Sequence, residues 1–521
     1  MPPLSATQHE DPQAVFDSLE QQFSLHEEGL VALTKTFLEE FKVGLTNYNQ
    51  PMAMIPSFVQ GVPDGTETGT FLALDLGGTN LRVCEVVLNG DKTFNLVQQK
   101  YRVSEALKTG EASVLFNYLA ESVDAFLTSR ATTEYVSPSS PVESTHSQAK
   151  VEPVNLGMTF SFPVEQTALD SGKILTWTKG FSAKNAIGND VVKLLQDAFD
   201  RKHMNVKCVA LVNDTVGALL SRAYTGGGCV AGCIFGTGTN GAYIEQVSNI
   251  PKLANSAVAK KGGQMVINTE WGAFNNSRSH LPTTAFDNAV DRLSINPKFQ
   301  AFEKFISGLY LGELSRHILV ALVDATPKSL LFSGKSTAHL NKHYGVDTSF
   351  MSAVEEAWVG KDDSADAFAL PPFSVLEFQK DKLSPKVVEK LENIRQHIVK
   401  DLEFDLEDVS LRDAAIVRWV CALVARRAAL LSGVAIATVL IQQGSASLVS
   451  ENKPVKSNNE TFGIGVDGSL VEFYPNFNGI LRESLRMLVG EDVEKRVEIG
   501  LAKDGSGVGA ALCALMATKL A

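Results

Sequence analysis

Two short glycine-centred segments constrain this chain more than any other feature: Asp75-Leu-Gly-Gly-Thr-Asn80 and Phe235-Gly-Thr-Gly-Thr-Asn240. Each joins two apolar runs with strand character, Phe71–Leu76 to Leu81–Leu88 in the first case and Cys229–Phe235 to Ala242–Val247 in the second. Both segments end in Thr-Asn. A further strand–turn–strand is expected at Thr461–Tyr474, around Gly465-Val-Asp-Gly-Ser469. A single parallel sheet with one switch point needs only one such corner, so the repeat predicts two α/β halves that place a ligand between them. With 521 residues the chain is long enough for two packed lobes.

The rest of the chain reads as alternating helices and strands. An amphipathic helix is expected over Leu30–Leu45, then Pro- and Gly-punctuated chain over Pro51–Thr70. Strands are expected at Asn155–Ser161, Val206–Val212 and Val497–Ala502, and helices near Asn189–Arg201 and over Val508–Lys519. Ala131–Lys150 is rich in Ser, Thr and Pro and reads as a flexible surface loop. A capping signal at Ser410–Asp413 opens a long helix. Its apolar stretch, Ala428–Ile441, is too short to span a bilayer, and Met1–Asp17 carries no apolar core of a signal peptide.

Charge and cysteine usage narrow the function classes. A net charge of −12 disfavours nucleic acid and anionic membrane surfaces, although a local cluster of N–H groups still accommodates an anionic ligand. The six cysteines (84, 208, 229, 233, 421 and 513) are scattered through apolar runs, a pattern of buried thiols in a reducing compartment. The expectation is a cytoplasmic protein.

Chemistry concentrates at the turns. Gly77 and Gly78 lack Cβ atoms, so positive φ and close approach of N–H groups to phosphate oxygens are open to them. Asp75 stands where it could hold a magnesium-bound water, with Thr79, Asn80 and Arg82 as further donors. A lone Gly-Gly turn is more often just a tight hairpin. Gly236-Thr-Gly-Thr-Asn-Gly241 matches G-x-G-x-x-G, but a strand and not a helix follows, so the dinucleotide reading fails on context. P-loop and protein-kinase signatures do not occur.

Asp214, in Ala210-Leu-Val-Asn-Asp-Thr-Val216, leads from a strand into a helix and could be either an N-cap or a general base. Company favours the base. Phe160-Ser-Phe-Pro163, Trp177-Thr-Lys-Gly180 and Asn268-Thr-Glu-Trp271 supply hydroxyls, a cation, a carboxylate and aromatic rings, the ingredients of a sugar pocket with rings against the sugar's apolar face.

These segments, with Ser307–Leu314, Gly465–Ser469 and Lys503–Ala511, resemble in order the signatures of the hexokinase family over roughly residues 25 to 520, most nearly its single-unit fungal glucokinases. The resemblance implies an α/β, two-domain actin-like ATPase (ribonuclease H-like) fold with a central cleft. It implies an N-terminal helical segment (1–70) on the large domain, a small domain (71–214), a large domain (215–506) and a C-terminal helix (507–521) returning to the small one. It implies ATP-dependent phosphorylation of glucose, or of a hexose such as mannose, at the 6-hydroxyl, with ATP and Mg2+ and a monomer or homodimer. Asp214 and Lys179 take the catalytic positions. Ser161, Phe162, Thr178, Lys179, Asn213, Asp214, Asn240, Glu270 and Glu303 take the sugar positions. Asp75, Leu76, Gly77, Gly78, Thr79, Asn80, Arg82 and Lys100 match the first nucleotide segment; Thr237, Gly238 and Thr239 match the second; Asp467, Gly468 and Ser469 match the adenosine region. Asp75 would meet the metal through water. Where the family usually has Asn-Pro-Gly before its second sugar-binding glutamate, this chain has Asn296-Pro-Lys298, a departure that bears on the loop geometry near Glu303 and so on fine sugar selectivity. A silent sugar sensor and a kinase for an amino sugar are the competing readings.

Overall fold

The structure is a computed structural model that describes residues 11–77, 80–134, 152–177, 180–360, 369–375, 383–451, 460–502 and 504–520. Its strands are β1 (Ile55–Pro56), β2 (Thr68–Leu76), β3 (Asn80–Asn89), β4 (Phe94–Arg102), β5 (Val154–Phe160), β6 (Val164–Ala168), β7 (Ser171–Ile174), β8 (Val206–Val212), β9 (Ala231–Phe235), β10 (Thr239–Gln246), β11 (Gln264–Asn268), β12 (Phe462–Asp467) and β13 (Val497–Leu501). One sheet runs β4-β3-β2-β5-β8, an antiparallel meander of three strands followed by two parallel ones. The other runs β1-β11-β10-β9-β12-β13 and, β1 aside, repeats that pattern strand for strand. The sequence echo is therefore a topological duplication. Both glycine corners occupy the same place, between the first and second strands of their meander.

Strand composition follows position. The last six residues of β2 are all buried, as expected for a strand covered on both faces, whereas edge strand β4 is largely exposed and polar. β6 and β7 form a separate hairpin.

The helix Asp214–Gly226 and the final helix Gly505–Leu520 lie between the sheets, and their apolar faces form one core with Ala73, Val86, Ala242 and Val266. They approach to backbone contact. A Cβ on Gly509 would lie 2.1 Å from Gly217 Cα, and one on Gly157 of β5 would lie 2.0 Å from the Ala510 carbonyl oxygen. No residue with a side chain fits there. The helices Pro12–Phe23 and Glu27–Thr46 add Phe16, Phe23, Phe37 and Phe41 to the core of the second lobe, where Phe37 stacks on Phe274 at 3.7 Å.

That lobe is organised by the 32-residue helix Leu411–Gln442, opened by a capping box between Ser410 and Asp413. It is long and apolar enough to cross a membrane, yet 94% of its apolar window is buried inside the protein, so it serves as the core helix. Arg427, fully buried within it, pairs with Asp287 at 2.6 Å and lies over the rings of Phe23 and Phe305. A charge this deep requires such a partner.

Two expectations are corrected. Thr461–Tyr474 is a strand, a turn and a helix (Ser469–Phe473) rather than two strands. Only Leu470 of that helix is buried, and the chain turns into it through Gly468 at φ 126°. The helix Ala112–Glu134 also runs four residues into the segment expected to be a loop; the remainder, 135–150, lies outside the described residues.

Candidate active site

Asp214 stands where the first sheet meets the second lobe. Strand β8 ends at Val212, and Asn213 caps the next helix: its Oδ1 accepts from Thr215 N at 2.9 Å and Thr215 Oγ1 at 2.6 Å. The capping role thus falls on Asn213. Asp214 is the first helical residue, half-buried, with Oδ1 2.9 Å from Thr215 N. Because Thr159 of β5 pairs with Val212, Ser161 and Asp214 each lie two residues beyond that pair.

The second lobe meets this point through a polar cluster. Asn240 Nδ2 donates to Asn268 Oδ1 at 2.8 Å and to Glu270 Oε1 at 3.4 Å, and lies 3.5 Å from Asn213 Oδ1. Asn268 Nδ2 donates to the same Glu270 oxygen at 2.8 Å. Glu270 itself adopts a left-handed conformation, φ 55°, which breaks the chain out of β11. Glu303 Oε2 accepts from Thr239 N at 3.1 Å. Gly238 must be glycine for this arrangement, since a Cβ there would lie 2.7 Å from Glu303 Oε2. Asn213, Asp214, Asn240, Glu270 and Glu303 are therefore neighbours although 90 residues separate the first from the last.

The loop before Glu303 explains the Lys298 departure. Lys298 sits at φ 65°, a conformation that glycine adopts without cost, and its N–H donates to both oxygens of Asp291, at 3.0 and 3.2 Å. Desolvation pushes the Asp291 carboxyl up, but Lys304 at 2.8 Å, the Lys298 N–H and Arg278 outweigh it and hold the group below its ordinary value. An anionic anchor thus maintains the turn with a lysine in it.

On the other side, one rung crosses the first sheet: Lys100 of β4 opposite Arg82 of β3, Arg82 opposite Asp75 of β2, Asp75 beside Thr159 of β5. Arg82 pairs with Asp75 at 2.8 Å. Ser506, at the start of the final helix, donates to Asp75 Oδ2 at 2.9 Å, and Thr159 Oγ1 donates to the Ser506 carbonyl at 2.8 Å. Lys100 is exposed and Asp75 is buried. Gly77 does not use the left-handed region; its N–H closes the corner on Asn80 O at 3.0 Å.

The second corner packs against the adenosine-region turn. A Cβ on Gly468 would lie 2.4 Å from the Phe235 backbone. Asp467 is open to solvent by surface area, yet desolvation by its surroundings, and after it the negative charge of Asp214, raise its carboxyl above the ordinary value; Arg82 opposes this. Carboxylates from the two lobes thus sense one another across the gap. Beside the corner lies a cavity of about 340 Å³ lined by Thr237, Ser469, Leu309, Tyr344, Asp347 and Thr348 among others.

Some predicted residues stand differently. Phe160, Phe162, Trp177 and Phe181 pack on one another with centroids 4.8–5.8 Å apart, and Phe162 is 3% exposed. Phe160, Phe162 and Phe181 thus form core, with half-buried Trp177 packed against them, so these three buried rings do not present faces to a sugar. Leu76 is also fully buried, so only its backbone can meet a ligand. Gly78, Thr79, Thr178 and Lys179 lie outside the described residues. Sequence reasoning passed over Ser506, Asn268 and the cavity wall around Tyr344–Thr348. Asn268 and Ser506 each lay inside a segment already singled out, whereas Asp347-Thr-Ser349 carried only a capping signal.

Comparison with known proteins agrees with this architecture. Hexokinase family models match residues 15–224 and 230–516. The chain is 38% identical over 501 residues to a glucokinase of Aspergillus niger, covering 93% of this chain and 92% of that one. It is 37% identical over 538 residues to glucokinase-1 of Saccharomyces cerevisiae, covering 98% of each. The structure of a hexokinase from Schistosoma mansoni complexed with glucose superposes with a TM-score of 0.76 at 34% identity, covering 98% of this chain and 100% of that one.

Proposed function

The chain belongs to the hexokinase family and is a kinase that phosphorylates a hexose; from that premise we propose that glucose is the acceptor, ATP the donor and Asp214 the general base. The observation that carries the assignment is that Asn213 performs the helix cap, which leaves the adjoining carboxylate at the meeting point of both lobes. A primary alcohol is a weak nucleophile until its proton is taken, and a carboxylate at a strand's C-terminal end is placed to take it.

The neighbouring residues divide the remaining tasks. Asn240 and Asn268 orient Glu270, and Thr239 N–H orients Glu303, so two carboxylates stand ready to accept hydrogen bonds from ring hydroxyls. Backbone N–H groups of Thr237 and Gly238 in the second corner, with Arg82 and Lys100, supply positive partners for a polyphosphate. The cavity beside Thr237 and Ser469 offers hydroxyls and apolar walls to a nucleoside. Lys179, by its place in the family pattern, would neutralise charge on the migrating group.

Magnesium fits this donor set. Among the described residues no group of three or more His, Cys, Asp or Glu could hold a metal, and Asp75 is a hard oxygen donor at a strand end. That suits an ion that reaches the site on the donor's phosphates and meets one carboxylate through water. When bound it neutralises phosphate charge. The buried free cysteines support a cytoplasmic, reducing setting.

Replacement of Asp214 by Ala tests the assignment through coupled ADP release with glucose and ATP. A general base contributes roughly 10²- to 10⁴-fold in rate, so kcat should fall at least that far while the thermal midpoint stays near that of the parent. Unchanged turnover removes Asp214 from the mechanism.

A further inference from the structure

Among the described residues, Glu313 is the least exposed carboxylate of the second lobe, at 0% side-chain exposure. It lies in the helix Gly308–Val323, whose first turns touch both elements of the nucleotide side. At its start, Gly308 N donates to Gly236 O at 2.7 Å and Leu309 N reaches Thr237 O at 3.3 Å, which fastens the helix to the second glycine corner. One turn on, the same helix holds the cavity wall. Glu313 Oε2 accepts from Tyr344 N at 2.7 Å, Gly312 N donates to Thr348 Oγ1 at 3.2 Å, and Thr348 Oγ1 donates to Gly308 O at 2.6 Å. Arg316, gripped by both Glu313 oxygens at 2.6 and 2.7 Å, donates onward to Leu340 O at 3.2 Å.

The wall needs this support. Tyr344 is held at φ 55°, and the next residue has no room for a side chain, since a Cβ on Gly345 would lie 2.0 Å from His339 O. Gly312 admits none either, because the Asp347 backbone would lie 2.4 Å away. Basic side chains face the Glu313 carboxylate: Arg316, His317 at 3.2 Å from its own helix, and His343 at 3.6 Å from the wall segment itself.

We propose that Glu313 is a positioning residue for the donor nucleotide: by holding Tyr344 and, through Arg316, Leu340, it fixes the wall of the cavity and so sets nucleotide affinity without contacting either substrate. The inference rests on the reading that the cavity takes the nucleoside.

Glu313→Gln keeps the shape and loses the charge; Glu313→Ala also removes the acceptor of the Tyr344 N–H. Titration calorimetry with a non-hydrolysable ATP analogue and magnesium should show affinity falling about tenfold in Glu313→Gln, the scale of one charged hydrogen bond, and further in Glu313→Ala. KM for ATP should rise in parallel, with glucose KM and kcat at saturating ATP within twofold of the parent. A parallel rise in both KM values would mean general loosening and would overturn the proposal, as would unchanged analogue affinity in Glu313→Gln. Ser349→Trp, which fills the cavity mouth, separates the two readings. If it weakens the analogue while Glu313→Gln does not, the positioning role alone fails; if it leaves the analogue untouched, the cavity assignment fails and takes the inference with it.

Discussion

Gly238 offers a perturbation whose consequences for stability and for binding part company. A methyl group there would stand 2.7 Å from Glu303 Oε2, inside the distance at which something must move. The obstacle is the tip of a flexible side chain, not backbone, and Gly238 is outside the left-handed region, so Gly238→Ala adds no main-chain strain and the carboxylate can swing aside cheaply. In doing so it leaves the Thr239 N–H that orients it, at 3.1 Å. A hydrogen bond to a charged group contributes roughly 1.5–3 kcal/mol. If the displaced Glu303 forfeits one such bond to a sugar hydroxyl, glucose affinity should fall roughly 10- to 150-fold. Calorimetric titration of glucose, with a thermal melt on the same sample, reads both quantities. The reasoning predicts weakened glucose with a midpoint within a few degrees of the parent. Unchanged glucose affinity would show that Glu303 does not touch the sugar, and collapse of the midpoint would show that the methyl meets something less yielding than a carboxylate.

Other expectations can be checked in the same protein. Burial alone would raise the Glu313 carboxyl, but hydrogen bonds from Arg316 and His317, with their charges, pull it down to about 2 from an ordinary 4.5. Its stabilising contribution is present above pH 4.5 and fades as pH falls toward 2, so the stability gap between the parent and Glu313→Gln should narrow by about 1.4 kcal/mol from pH 6 to 3.5; a gap constant with pH refutes it. Lys298→Gly should relieve about 1 kcal/mol of left-handed strain while keeping the N–H bonds to Asp291, seen as a raised thermal midpoint; a lowered one contradicts the account of that turn. Burial pushes the thiols of Cys84 and Cys208 to about 12 and of Cys229 to about 11, and the other three higher still. Iodoacetamide at pH 8 should therefore label none of the six in the native protein and all of them after denaturation, by intact mass.

What the sequence disclosed, and what it did not, follows the range of the interactions involved. The glycine corners, the strands around them and the Ser410–Asp413 cap are set by residues within a few positions of one another, and their placement is read within two or three residues. For Asp214 the sequence favoured a base over a cap; the structure gives the capping bonds to Asn213 Oδ1, which is the support for the proposed base role. Ser469–Phe473 looked like strand because Val471 and Phe473 favour it, and the Gly468 turn overrode so short a preference. The rings around Phe162 pointed to a sugar wall only while their mutual packing was unseen. Ser506 stood inside the Lys503–Ala511 segment, but its bond to Asp75, 431 positions away, had no local signal, and neither had the Tyr344–Thr348 wall, held from Glu313 31 positions away.

The duplicated meander has an evolutionary corollary. The second corner is built from main chain closely spaced against its neighbours, at Gly236 and Gly238. Drift in such places is limited by volume: a methyl crowds the Gly468 backbone at Gly236, at 3.3 Å, and displaces the Glu303 carboxylate at Gly238. On the proposed reading, the Glu270 and Glu303 carboxylates can change identity and so retune which acceptor is taken, whereas each atom added at the second corner presses on a neighbour. A lineage diversifying from this scaffold would vary its acceptor side long before its donor side.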